Sequence, residues 1–488
     1  MKTGMKTVVS TGTGTDGEPA AGRGLSRRRA RRLVMGVLLG LLVGALAIAG
    51  LLWLLRPEPR QSPPPEPGPA QRALTAVSAG VPAALPDLAV LIAERRAHLR
   101  THPDDARSWA VLGAAYVEQG RRTADAAHYP TAERALRTSL KVRPRGNAQA
   151  LDGMAALANA RRDFRAARTW GEAALKVDRR RWTTHALLIE AYTGLNDYKA
   201  ARSTLERLQG LHSGTAVMAR SAAVYWDRGW REDAAATLSD AAAMAEAPAE
   251  RAAWLERAGQ LAWERGDREV ALRYYQEAVR VDPDQRAAQA GQGRALAALG
   301  RTTEALNAYR SALAKQPSPA YTLELGELYE SLGLDQAAQV QYELLHTQVR
   351  SAAAGGVDEE LVVGRFEADH GDPEEAVRRL TAEWRKQPGI AVADALGWAL
   401  HQAGQHGEAL KYAERATDKE HGGGVRSALY VYHRGMIERA VGLDGPARRH
   451  LEEALRINPY FSPLWAPLAR EVLQELGEPP EVRVPATR

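Results

Sequence analysis

Cysteine is absent from this chain of 488 residues, and phenylalanine occurs only three times. Without cysteine, a disulfide framework, a thiolate nucleophile, a thiolate zinc or iron–sulfur site and a lipidated cysteine anchor are all excluded. No segment shows the sustained apolar–polar alternation of β-strands between turn signals. A hydrophobic content of 45% with heavy use of alanine instead predicts an all-α protein whose helices pack closely through small side chains.

Sequence patterns for catalysis are lacking as well. The chain has no phosphate-binding loop and no nucleophile elbow. Histidine does gather, since six of the twelve lie in the last quarter of the chain, but no two of the six are four residues apart, the spacing for two ligands on one helix face. We therefore predict a protein that is not an enzyme, with no cofactor and no metal site; nickel or zinc handling by these histidines is an alternative. The six are His370, His401, His406, His421, His433 and His450.

Negative charge is scarce at the N-terminus. Residues 1–32 hold eight basic and two acidic residues and so carry +6, which equals the net charge of the whole chain. The rest of the chain is therefore close to neutral. The high isoelectric point is a signal of membrane topology and does not indicate nucleic-acid binding.

The longest uncharged segment is residues 33–55, a run of 23 apolar or small residues. As a helix with a rise of 1.5 Å per residue it spans about 34 Å, enough to cross a bilayer core. Trp53 near one end is typical of the membrane interface. We predict a transmembrane helix over 33–55, with the basic tail 1–32 in the cytoplasm and the rest of the chain outside the cell membrane. A signal peptide cleaved after Ala49 is the alternative, although apolar residues continue to Leu55.

Proline is concentrated directly after this segment, with seven prolines in residues 57–69. Such a density favours an extended polyproline spacer, so we predict a linker over residues 56–84. An amphipathic helix over Leu85–Arg100 is expected to cap the repeats that follow. Residues 477–488 are predicted to form a disordered tail.

A period of 34 residues organises the chain after the linker. Gly259, Gly266, Ala271, Tyr275, Ala278 and Pro283 recur at one offset as Gly293, Gly300, Ala305, Tyr309, Ala312 and Pro317. The small residues allow close helix contact, a glycine ends the first helix, tyrosine fills the space between units, and proline ends the second helix. This period and punctuation predict stacked helix–turn–helix units.

These landmarks resemble the tetratricopeptide repeat family. Trp109, Leu112, Gly113 and Tyr116 open the first unit with the family's pattern, and about ten units lead to a final capping helix within Phe461–Leu476. The resemblance implies a right-handed superhelical solenoid over residues 85–476, preceded by the one transmembrane helix. It also implies a protein that binds other proteins, in which each unit contacts only its neighbours.

In this family the first helix of each unit lines the concave face, so matching the units predicts the groove. Mixed aromatic and charged side chains at these positions suit a peptide or an amphipathic helix as the partner. The predicted partner-binding residues are Trp226, Trp263, Arg294, Arg365, Trp398, His401, Tyr432 and Arg439, with Glu256, Gln260 and Glu327 beside them.

The sequence thus predicts a membrane-anchored, non-catalytic scaffold whose extracytoplasmic repeats bind a protein or peptide client in an envelope assembly or transport complex. Heavy use of alanine, arginine and glycine favours a bacterial source of high GC content. Two alternatives stay open: an assembly factor like the membrane-tethered repeat proteins that hold apocytochrome tails, and a metal-handling accessory protein.

Overall fold

A computed structural model describes residues 27–54, 66–315, 317–418 and 424–477. The chain divides into two compact units, Met1–Glu66 and Pro67–Arg488. We call the second the repeat region. Most of the predicted basic tail, most of the proline run, His421 and the predicted disordered tail lie outside the described residues.

The first unit contains helix α1, Arg27–Leu54. Its segment Met35–Leu54 has 20 residues with a mean hydropathy of 2.6, and none of it is buried against protein. A helix of this length and composition can cross a membrane or serve as a signal sequence. The predicted apolar helix is therefore present, and its place in the cell is taken up below.

The repeat region begins earlier than predicted. Helix α2, Pro69–Ala79, lies inside the stretch expected to be an extended linker, and it pairs with α3, Leu85–Thr101. Proline occupies the first helical position of α2, where a missing N–H costs nothing, and Ala73 and Ala76 bury its inner face. The proline count overestimated the linker because proline is compatible with a helix start.

Ten antiparallel helix pairs follow in the described residues, numbered here as repeats 1 to 10, and a single helix ends the array. No described residue is in a β-strand, so the prediction of an all-α solenoid of about ten helix pairs is confirmed. The helices are α4 Ala106–Thr123, α5 His128–Val142, α6 Ala148–Ala160, α7 Phe164–Val177, α8 Trp182–Gly194, α9 Tyr198–Leu211, α10 Thr215–Asp227, α11 Arg231–Met244, α12 Pro248–Glu264, α13 Arg268–Val281, α14 Arg286–Ala298, α15 Thr302–Leu313, α16 Pro319–Ser331, α17 Asp335–Ala354, α18 Glu360–His370, α19 Pro373–Lys386, α20 Ile390–Gln402, α21 His406–Thr417, α22 Ala428–Ala440, α23 Asp444–Ile457 and α24 Trp465–Leu476.

Glycines in several of the first helices allow the two helices of a pair to approach closely. A Cβ atom on Gly293 of α14 would lie 2.5 Å from the Tyr309 ring of α15, the second helix of the same repeat. A Cβ atom on Gly259 or on Gly291 would lie 2.7 or 2.4 Å from Tyr275, which therefore fills space between its own repeat and the next. The packing roles predicted for these glycines and tyrosines agree with these contacts.

Two kinds of signal end the first helix of a repeat. Gly266 and Gly300 adopt φ angles of +83° and +73°, the left-handed region that favours glycine. In repeats 2 and 3 that position is Arg162 or Asn196, also at positive φ. An aspartate that caps the next helix follows each of these two residues, and the side chain of Asp163 accepts a hydrogen bond from the Ala166 amide at 3.0 Å.

The array also coils back on itself, which the sequence did not predict. Turns inside repeats 2 to 5 contact the ends of repeats 7 to 10, each about five repeats further along. The Asp358 amide donates to the Arg161 carbonyl at 2.9 Å, and the Asn458 side-chain amide donates to the Trp263 carbonyl at 2.8 Å. The expectation that each repeat contacts only its neighbours is therefore wrong, because successive turns of the coil pack against each other.

Candidate client-binding groove

Two cavities lie along the inner side of the repeat region. The first has a volume of about 1000 Å³ and extends from repeat 1 to repeat 7. The second has a volume of about 710 Å³ and extends from repeat 4 to α24. First helices of the repeats supply most of both linings, as the family's concave face requires.

Trp226, Gln260 and Glu264 line both cavities. The two cavities therefore adjoin at these three side chains, and we call the two cavities together the groove. Trp226 is half-buried, and Arg231 lies 5.2 Å from its ring on the side of the following helix. A ligand that occupied both cavities would pass over the Trp226 indole.

Opposite charges meet inside the first cavity. Arg220 and Glu190 form an ion pair at 3.1 Å. Burial alone would raise the pKa of Glu190, but Arg220, Arg121 and Arg257 together hold it below its ordinary value. Asp227 lacks such partners, and burial raises its pKa to about 7 even though the Thr193 hydroxyl favours the charged form. The cavity thus offers fixed cationic and anionic groups as well as a carboxyl that titrates near neutrality.

The second cavity is organised around Arg294. Its guanidinium binds Glu324 through two nitrogens, at 2.8 and 3.2 Å, and donates to Gln260 at 2.7 Å. Burial opposes the charge on Arg294, but Glu324 outweighs it and the pKa of Arg294 is raised. The Tyr309 hydroxyl completes the cluster by donating to Glu324 at 2.9 Å. Arg294 is therefore held in one orientation beside the cavity.

Five of the eight predicted partner-binding residues line the second cavity: Trp226, Trp263, Arg294, Arg365 and Trp398. The side chains differ in what they present. Trp263 and Trp398 are only 7% and 4% exposed, so they form the wall of the cavity and are packed into the core behind it. Trp226, Arg294 and Arg365 keep more surface toward the space.

The other three predicted residues are not among the residues lining either cavity. Tyr432 is fully buried, between Trp398, Phe461 and Trp465. Arg439 forms an ion pair with Glu475 of α24 at 2.5 Å. The His401 ring stacks on the Trp398 ring, with 5.1 Å between the two ring centres.

The C-terminal histidines come together only in part. The Nδ1 atoms of His401 and His406 lie 3.1 Å apart, although the sequence spacing gave no reason to expect a pair. Burial, His406 and His433 lower the pKa of His401 to about 4. The Nδ1 atom of His433 lies 2.9 Å from a carboxylate oxygen of the buried Asp394 and can donate to it. His370 lies apart from these residues, in a carboxylate cluster described below.

Several groove residues were missed from the sequence, among them Arg220, Asp227 and Glu190. Arg220 and Asp227 lie on one face of α10 with Ala223, at spacings of three and four residues. Helical periodicity around Trp226 would have found that face. Glu190 belongs to repeat 3, from which no groove residue was predicted.

The family of the repeats follows from a sequence comparison. Residues 257–318 and, overlapping them, residues 291–353 match the family model described as tetratricopeptide repeat. Residues 257–353 therefore contain tetratricopeptide repeats. The matched residues run from repeat 5 to repeat 7, which include the two units with the clearest period, and the other helix pairs continue the same stacking on both sides.

Solved structures with a similar arrangement are distant in sequence. A tetratricopeptide repeat protein from Parabacteroides merdae is 18% identical over 54% of this chain and 99% of its own, with a TM-score of 0.33. Yeast Tom70 is 11% identical over 74% of this chain and 96% of its own, with a TM-score of 0.32. A human IFIT1 dimer with m7Gppp-AAAA is 15% identical over 71% and 79%, with a TM-score of 0.45. No curated protein sequence matches this chain.

Proposed function

We propose that this protein is a membrane-anchored, non-catalytic scaffold that holds a protein or peptide client in the groove of its extracytoplasmic repeats, within an envelope assembly or transport complex. The observation that carries the proposal is the groove, with Trp226 in the lining of both of its cavities. Tetratricopeptide repeats present such a surface to partners and have no catalytic group of their own.

The chemistry of the groove favours an extended peptide segment as the client. The two cavities are long, and their walls alternate aromatic surface with fixed charges such as the Arg220–Glu190 and Arg294–Glu324 pairs. Aromatic walls bind apolar side chains, and the charges give register and orientation. Contacts between distant repeats lie in the linings of both cavities, Arg162 with Glu359 in the first and Trp263 with Asn458 in the second, so we expect an extended segment to enter more readily than a folded domain.

The membrane part of the proposal rests on α1 and on the charge before it. Eight basic against two acidic residues precede the apolar segment and favour a cytoplasmic N-terminus, which directs the repeats to the outer side. The anchor is proposed to be uncleaved, since its apolar run continues beyond Ala49.

Protease added to intact spheroplasts tests this topology. The repeat region should be digested while a small N-terminal fragment stays in the membrane and a cytoplasmic marker protein remains intact. Protection of the repeats would contradict the proposed orientation, and a mature protein that begins at Gly50 would contradict the anchor.

Site-specific crosslinking tests the client proposal. A photo-reactive amino acid at Trp226, in the groove, should crosslink a client in the producing cells, whereas the same group at Trp230 serves as the control, because Trp230 is 42% exposed and lines neither cavity. Trp226→Ala should then weaken binding of the captured client by about 2 kcal/mol, roughly 30-fold, if the indole lies at the centre of the contact.

The results of these experiments distinguish a binding surface inside the groove from one outside it. Equal crosslinking from both positions, or unchanged affinity in Trp226→Ala with reduced affinity in Trp230→Ala, would move the binding surface out of the groove. An apocytochrome as the crosslinked client would narrow the function to cytochrome assembly.

A further inference from the structure

A histidine and three carboxylates converge where repeats 7 and 8 meet. Glu327 and Glu330 lie on α16, and Asp369 and His370 lie on α18. Ligand atoms of Glu327, Asp369 and His370 all lie within 4.8 Å of one another. Of the groups formed by three or more histidines, aspartates and glutamates, this is the one in the described part of the chain with atoms close enough to share one metal ion.

The imidazole of His370 is the informative member of the cluster. Its side chain is only 6% exposed, yet its Nε2 atom has no hydrogen-bond partner among the described residues. The nearest carboxylate oxygen of Glu327 lies 3.8 Å away, which is too far for a hydrogen bond. A buried polar atom without a partner is costly, and an ion between Nε2 and the carboxylate would satisfy both.

The surrounding groups orient this set as the outer shell of a metal site does. Nδ1 of His370 lies 3.2 Å from Glu330, which can hold the imidazole proton on Nδ1 and leave the Nε2 lone pair free. The Tyr342 hydroxyl donates to Glu330 at 2.7 Å, and the Trp398 indole donates to Asp369 at 2.6 Å. Carboxylate–histidine pairing and hydrogen-bonded carboxylates are the usual supports of metal ligands.

We propose that Glu327, Asp369 and His370 Nε2 bind a divalent first-row transition-metal ion in the wall of the groove. Imidazole and carboxylate without thiolate suit ions such as Zn²⁺ or Mn²⁺. Two ligands on a tetrahedral zinc ion lie about 3.4 Å apart, so the three side chains need to approach by roughly 1 Å. Glu327 and Asp369 line the second cavity, which leaves an open coordination position toward the groove.

The site differs from the metal role considered for the C-terminal histidines. That role depended on the histidines as a group, and the pair His401 and His406 brings only two ligand atoms together. The proposed site uses His370 with two carboxylates from neighbouring repeats. Metal binding at this site is measured without any client, so the result tests the metal site independently of the proposed client binding.

Metal titration of the full-length protein in detergent tests the site. After removal of metal with a chelator, ZnCl₂ and MnCl₂ are titrated in separate calorimetry experiments, and the melting temperature is measured with and without each ion. We expect one site per chain and a higher melting temperature with the ion bound, because an ion that binds only the folded state stabilises it. Glu327→Gln, Asp369→Asn and His370→Gln should each weaken binding by about 100-fold or more, beyond the 10- to 100-fold typical of outer-shell changes.

Two control variants make the result specific. His346→Gln changes a histidine whose ring meets Phe366 edge-on at 4.9 Å, near the site and outside the cluster, and should leave affinity unchanged. The double variant His401→Gln/His406→Gln should also bind normally. No saturable binding of either ion, unchanged binding in both Glu327→Gln and His370→Gln, or loss of binding only in the double variant would overturn the proposal.

Discussion

Replacing Trp398 with alanine is expected to lower the unfolding free energy by about 3–5 kcal/mol, the range for buried tryptophan. The indole is 4% exposed and stacks on His433 at a ring distance of 4.2 Å. Its N–H also donates to Asp369 at 2.6 Å, so the substitution leaves both a void and a half-buried carboxylate without its donor. Urea unfolding of the full-length protein in detergent, followed by circular dichroism, measures the loss.

Trp230→Ala is the matched control for this experiment. Trp230 is 42% exposed and packs mainly under the guanidinium of Arg228, 3.6 Å from the ring, so its loss should cost about 1 kcal/mol or less. Equal unfolding curves for the two variants would contradict the packing described for Trp398. The comparison also matters for binding experiments. Because Trp398→Ala is expected to destabilise the fold, loss of client binding in this variant would not show that Trp398 contacts the client.

Changing Gly293 to leucine should destabilise the centre of the repeat array by about 1–3 kcal/mol or more. A Cβ atom there would lie 2.5 Å from the Tyr309 ring, which is 3% exposed and tied to Glu324, so neither partner can yield cheaply. We expect a lower melting temperature by circular dichroism, with hydrogen exchange accelerating first in α14 and α15.

Gly210→Leu supplies the control for that variant. Gly210 also lies in a helix, but it is exposed and a Cβ atom would meet nothing within 4 Å. Its replacement should leave the melting temperature nearly unchanged, because leucine has a better helix propensity than glycine. A Gly293→Leu protein that melts with the wild type would show that the register assigned to repeat 6 is wrong.

The groove shows which cavity-lining residues the family pattern predicts and which it does not. Arg294 and Arg365 reach the second cavity from equivalent positions, directly after Gly293 and Gly364 on the first helices of repeats 6 and 8. Tyr432 of repeat 10 corresponds to Glu256 of repeat 5, which lines the first cavity, yet Phe461 and Trp465 of the C-terminal segment cover it, since the last repeat needs a cap for its apolar face. The position of a side chain within its repeat follows from the period, but whether that side chain is buried depends on the element that packs against the repeat.

Buried tryptophans illustrate the same limit. Trp263 and Trp398 were predicted as binding surface from their helix position and size. Each is nearly buried, because the coil brings distant repeats or neighbouring rings against it, and the Trp263 carbonyl accepts a hydrogen bond from Asn458, 195 residues away. No local sequence pattern predicts a contact between residues so far apart in the chain.

The sequence by itself determined the class of this protein, the period, the number of helix pairs and the apolar N-terminal helix, because each follows from local spacing of small, aromatic and charged residues. Gly293 with Tyr309 and Gly259 with Tyr275 are contacts inside one repeat or between adjacent ones, within reach of a 34-residue period. Only the tertiary structure decided how the turns of the coil meet, how far the groove is enclosed and which side chains share the His370 cluster. Small rotations between successive repeats add up over five repeats, and no single repeat shows the total rotation. That total brings Asp358 into contact with Arg161 and Asn458 into contact with Trp263.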